Sequence, residues 1–175
     1  MKTYTIVHPY DDEQTERPTP SRRLVRERVM QALYAREVGR DVGGESIEVL
    51  ASHIVYPSFA MSEELRSFAE SLLIRVTNTE RESDALIATL AENWEMHRIA
   101  PMDRVLLRMG IVEILMFEEI PTKVTINEII EIAKRYSTPK SGTFINGMLD
   151  AALERLAAEG RINKTGRGLL ASGQG

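Results

Sequence analysis

The sequence contains no cysteine. Disulfides, thiolate nucleophiles, iron–sulfur clusters and cysteine zinc sites are excluded together. The three histidines, His8, His53 and His97, are too scattered for a histidine metal cage, and none sits in a motif. Each reads as a surface or packing residue. No stretch approaches the ~18 apolar residues of a membrane span. The longest apolar run in the first twenty residues is Ile6-Val7, so no secretory leader is expected and the chain reads as cytoplasmic. There is no GxGxxG and no HExxH. No metal and no cofactor is expected, and an enzyme is not indicated. The 175 residues, 43% apolar and 27% charged, suit one ordinary globular domain or two small bundles sharing a core.

Charge is unevenly placed. The formal net charge is −4, which by itself argues against nucleic acid. Residues 22–40, however, carry six arginines and two glutamates. One early segment is positive and the rest of the chain is acidic, a pattern that marks an anion-binding face.

The periodicity is helical throughout. Residues 1–20, with three prolines and an acidic patch, read as a flexible N-terminal extension, and the Gly-rich stretch 160–175 as a flexible tail. Between them, 21–159 is the candidate fold. Ser21 and Ser62 are placed as N-caps of helices over about 22–37 and 62–77. A short helix is expected near 46–55. Thr79-Glu-Arg-Glu82 reads as a capping box opening a helix that runs over about 79–93, towards Trp94. Pro101 fits the first turn of a helix over about 101–118, whose Val105–Phe117 section is apolar almost all round and so belongs at a bundle centre. Thr125-Ile-Asn-Glu128 reads as a second capping box, with Val124 and Ile129 as a hydrophobic staple, for a helix over about 125–136. A last helix covers about 141–159. About seven helices with short connections make an all-α helical bundle.

Little in the chain points to catalysis. Gly160-Arg-Ile-Asn-Lys164-Thr165 is half a phosphate loop without its second glycine or a preceding strand. The informative stretch is Ser21–Arg28, with four arginines in seven residues opening a helix. Cations oppose the helix dipole there. Two readings stand: a solvated face paired to acids elsewhere, or guanidinium forks for phosphates. Arg22, Arg23 and Arg26 fall within about 100° on the helical wheel, while Arg28 points elsewhere. Gln31 and Tyr34 continue the side begun by Arg23, and a tyrosine beside arginines can stack on an unpaired base. Phe144 lies off the core stripe of the last helix. It either packs against the neighbouring subdomain or forms a stacking platform with Lys140 near the phosphate.

These residues carry a resemblance. Arg22-Arg23-x-x-Arg26-x-x-x-x-Gln31-Ala-Leu-Tyr34 resembles the first helix of the NusB family of transcription antitermination factors. The likeness resumes at Asp103–Leu115 and Ile120–Glu128, and closes with Ser141-x-x-Phe144-Ile-Asn146-Gly147. The resemblance implies two packed helical subdomains and a non-enzymatic role. It implies binding of single-stranded box A RNA in ribosomal RNA transcripts together with the ribosomal protein NusE, within the RNA polymerase antitermination complex. By position, Arg22, Arg23, Arg26, Gln31, Tyr34, Lys140, Ser141 and Phe144 then fall on the RNA face. Asp103 and His97 fall on the side of the protein partner. Asn127, Glu113 and Asn146 match the pattern but read as structural. Two alternatives accompany it: an RNA-binding module related to ribosomal RNA methyltransferases, and a structural protein that self-associates, as a homodimer for example.

Overall fold

In the computed structural model, which describes residues 19–58, 60–91 and 96–166, the two serine caps are formed. The Ser21 hydroxyl accepts from the Leu24 N–H at 3.2 Å and opens α1 (Arg22–Gly39). Ser62 accepts from Leu65 N–H at 3.3 Å and opens α3 (Glu63–Asn78). After α1 a 3-10 turn at Arg40–Val42 leads to Gly43, whose φ of +73° suits a residue without a side chain. The short helix expected near 46–55 is present in mixed register. One α-turn, α2 (Ile47–Leu50), continues as a π-turn over Ala51–Val55 and a 3-10 turn over Tyr56–Ser58.

At α4 (Glu80–Leu90) the chain restarts where expected, but not by a capping box. The Thr79 hydroxyl donates back to the Arg75 carbonyl at 2.8 Å instead of capping forward. The expected end of this helix near Trp94 lies outside the described residues. Pro101 opens α5 (Pro101–Met116), and every residue from Val105 to Ile114 is buried. This helix touches α1, α3, α4, α6 (Thr122–Tyr136) and α7 (Ser141–Ala158). Gly110 permits the closest of these approaches, since a Cβ there would meet Leu149 Cδ2 at 2.8 Å.

The second expected capping box is overturned. Helix α6 starts at Thr122, after Pro121, so Thr125 lies inside its first turns. Thr125 is fully buried and donates to Glu113 at 2.7 Å, while Val124, expected as half of a staple, is 44% exposed. The demand of a buried carboxylate on α5 outweighs the local cap.

Helices α1–α3 pack together, α4–α7 pack together, and α5 joins the groups by lying against α1 and α3. Buried Arg108 on α5 ties the join, reaching Asp84 on α4 with two bonds of 2.7 and 2.8 Å and Glu37 on α1 at 2.8 Å. Burial alone lowers a guanidinium pKa, yet these carboxylates raise that of Arg108. The fold is all-α, with no strand among the described residues. No helix among them is long and apolar enough to cross a membrane.

Residues 160–166, expected as part of a flexible tail, run back over the end of α5. The Thr165 N–H reaches the Glu118 carbonyl at 3.0 Å. Lys164 is buried and donates to the Glu113 and Phe117 carbonyls at 3.2 and 2.9 Å. Arg75 donates to the Met116 carbonyl. Two cations thus bond three carbonyls at the helix end, where the dipole favours positive charge; those of Glu113 and Phe117 also accept the Phe117 and Ile120 N–H groups. Burial pushes the Lys164 ammonium pKa down, against the pull of Glu113. The half phosphate loop is therefore no phosphate site, because its lysine is occupied inside the fold.

Candidate nucleic-acid interface

The three arginines of α1 share a wheel sector but not a role. Arg26 is buried and bonds Glu113 through Nε and Nη2 at 2.8 and 2.7 Å. Its guanidinium also lies 5.1 Å from the Phe68 ring centroid. Sequence position puts Arg26 on the RNA face; the structure puts it in the core. A wheel gives direction but not what stands opposite, and Glu113 lies 87 residues away.

Arg22 and Arg23 do reach the surface. Arg23 holds Glu128 by two bonds of 2.8 and 2.7 Å with half its side chain exposed. The hydrogen bond from Arg23, more than its charge, holds the Glu128 carboxyl below the usual range, and the pair raises the pKa of Arg23 in turn. Arg22 pairs with Glu64 at 3.1 Å and with Glu119 at 3.6 Å, and lies 4.9 Å from the Phe68 centroid. Together they border an open groove of about 810 Å³ whose apolar floor includes Ile120, Pro121 and Val124. The positive segment of the sequence is thus met by carboxylates from α3, α5, α6 and the α5–α6 turn.

Along α1, Gln31 and Tyr34 are partly exposed. Gln31 accepts from Arg28 Nη1 at 2.8 Å, and Tyr34 packs against the core edge. Lys140 is exposed just before α7, and Phe144 is half-buried against the core. Phe144 thus packs against the core and keeps a face towards solvent. Ser141, expected on the RNA face, is buried. Its hydroxyl donates to Asp103 Oδ2 at 2.9 Å, and Ser137 donates to Oδ1 at 2.6 Å.

The NusB family model matches residues 23–154. The chain belongs to the NusB family. It is 50% identical over 150 residues to the transcription antitermination protein NusB of Salinibacter ruber (strain DSM 13855 / M31), covering 86% of this chain and 91% of that one. It is 41% identical over 150 residues to NusB of Chloroherpeton thalassium (strain ATCC 35110 / GB-78), covering 86% and 69%. A structure of T. maritima NusB superposes with a TM-score of 0.70 at 34% identity, over 77% of this chain and 92% of that one. A chain from the crystal structure of antitermination factors NusB and NusE in complex with dsRNA gives 0.67 at 22% identity, over 77% and 96%, and shows the same fold. NusB proteins are transcription antitermination factors, not enzymes, and this chain is one of them.

On this NusB chain the residues expected on the partner side separate. His97 is exposed in a 3-10 turn before α5. Asp103 is buried, and both its oxygens are held by the serines of the α6–α7 connection. Asp103 and Ser141, expected on two different interfaces, satisfy one another inside. Of the residues read as structural, Glu113 is fully buried, whereas Asn127 is exposed and Asn146 bonds Asp150 on its own helix. Arg135 plays no part in the sequence reading, and Lys164 enters it only in the half phosphate loop. Lys164 lies in a Gly-rich stretch, and Arg135 lies on a different helix from the other arginines.

Proposed function

We propose that this chain binds single-stranded box A RNA of ribosomal RNA transcripts together with a NusE-type ribosomal protein. It thereby supports read-through and ribosomal RNA synthesis in the cytoplasmic RNA polymerase antitermination complex. The carrying observation is the surface of α1, where Arg22 and Arg23 stand at a groove and Tyr34 follows on the same helix. Lys140 and Phe144 at the start of α7 extend it. That a protein of this fold has been crystallised with NusE and dsRNA adds support. Glu128, Glu64 and Glu119 hold the two forks oriented. A phosphate that displaces a carboxylate meets a guanidinium already in place, which lowers the ordering cost.

The test is RNA binding by the Arg22→Gln/Arg23→Gln variant. Each phosphate contact to a single strand contributes about −0.7 to the slope of log affinity against log salt. The variant should bind more weakly with a shallower slope while its fold is unchanged. Parental affinity at every salt concentration would place the face elsewhere. Arg26 does not belong in this variant, because its loss removes a core ion pair.

A further inference from the structure

At the Arg22–Arg23 groove carboxylates outnumber guanidiniums by four to three. Three arginines, counting Arg26, face Glu64, Glu113, Glu119 and Glu128. A different arginine pair is not outnumbered. Arg28 on α1 and Arg135 on α6 are the chain neighbours of Glu27 and Tyr136, whose bond joins the two helices. Arg135 lies 5.2 Å from the Tyr136 ring centroid. Burial, then the hydrogen bond to Glu27, push the Tyr136 hydroxyl up, and the nearby charges of Arg135 and Arg28 pull it down.

One carboxylate stands between the two helices here. Glu27, itself buried, accepts from the Tyr136 hydroxyl at 2.9 Å and from a single Arg135 nitrogen, Nη1, at 3.2 and 3.3 Å. These are longer contacts than the paired bonds of Arg23, and two-thirds of the Arg135 side chain is exposed. The Arg28 contacts among the described residues include no carboxylate. Its Nη1 donates to neutral Gln31, and its buried Nε has no partner. Two guanidiniums with one acid, which bonds Arg135 alone, leave positive charge and donors in excess, the state that favours an anion. The place is set between Gln31 on α1 and the connection carrying exposed Lys140.

We propose that Arg28 and Arg135, beside the Glu27–Tyr136 bond, form a second phosphate-contacting element that carries the single-stranded RNA from α1 towards Lys140. The inference rests on the RNA reading above. In it, Arg22 and Arg23 must exchange a carboxylate for each phosphate, whereas Arg28 has none to exchange and Arg135 holds Glu27 through one nitrogen only.

The experiment titrates a short single-stranded RNA containing box A into the full chain, with and without a NusE-type partner, across a salt series. The Arg28→Gln/Arg135→Gln variant should lose about 1.4 from the log–log slope, two contacts at about 0.7 each. Arg28→Lys/Arg135→Lys should retain most of that slope, and melting should confirm both variants folded. A folded glutamine variant with the parental slope overturns this inference alone. If the glutamine variant does not fold, the lysine variant, which keeps both charges, is compared with Arg28→Gln alone: an equal log–log slope in the two overturns the inference. Failure of the parent itself to bind RNA, alone or with the partner, overturns the RNA reading and this inference with it.

Discussion

Arg26 and Glu113 meet through two parallel hydrogen bonds, 2.8 and 2.7 Å long, with 3% and 1% of their side chains exposed. Thr125 gives Glu113 a third bond, and Lys164 caps the carbonyl of the same residue. The pair thereby links α1, α5, α6 and the chain after α7 at one point. A buried pair is costly to desolvate, and breaking one side strands the other charge.

Arg26→Ala should therefore destabilise the protein by about 3–5 kcal/mol, whereas Arg23→Ala, which breaks an exposed pair, should cost less than about 1 kcal/mol. Urea unfolding of the two variants checks the contrast. Equal midpoints would mean that Arg26 is not a core residue.

Leu107 is fully buried on α5. Leu107→Ala should cost about 2–5 kcal/mol, through lost burial and a residual cavity. A variant that melts like the parent would remove α5 from the centre of the bundle.

Lys164→Met should leave the Glu113 and Phe117 carbonyls without their lysine donor. Both keep a backbone donor, so the loss is that of hydrogen bonds to a charged group, about 1.5–3 kcal/mol each. The expected result is a clear fall in melting temperature, matched by a chain cut after Gly160. An unchanged melting temperature in both would show that residues 161–166 do not brace α5.

The Glu128 carboxyl lies below its ordinary value of 4.5 in the folded protein, chiefly through the hydrogen bond from Arg23. The unfolded chain then binds more protons than the folded one between the two values. The stability this group lends is full above the unfolded value and is lost as pH falls through the folded one. Melting temperature followed downward from pH 6 should drop on acidification below about 4.5, the ordinary value for this group. Glu128→Gln should shrink that drop. An identical acid limb in parent and variant would contradict the pairing.

The helices were legible because their signals are local. Ser21 and Ser62 cap what they appear to cap, and the apolar circumference of Val105–Ile114 has no place outside a bundle centre. Thr125 was misread for a physical reason. A threonine followed by a glutamate three residues on satisfies the cap pattern, while its true partner, Glu113, is on another helix. The sequence also hid what the arginines of α1 meet. Charge counted along residues 22–40 takes no account of Glu64, Glu119 and Glu128, which the fold brings to it. Ser141 and Asp103 show the limit of position matching. Each is suited to a surface contact in isolation, and together they close a buried hydrogen-bonded cluster. Lys164 left no local signal, because a lysine among glycines looks the same whether solvated or docked.

The most direct measurement compares the affinity of the full chain for single-stranded box A RNA with that for a scrambled RNA of equal length, with and without a NusE-type partner. The box A sequence should bind more tightly, the partner should widen the gap, and added salt should weaken both. Equal affinity for the two RNAs, unaltered by the partner, would contradict a box A-directed role.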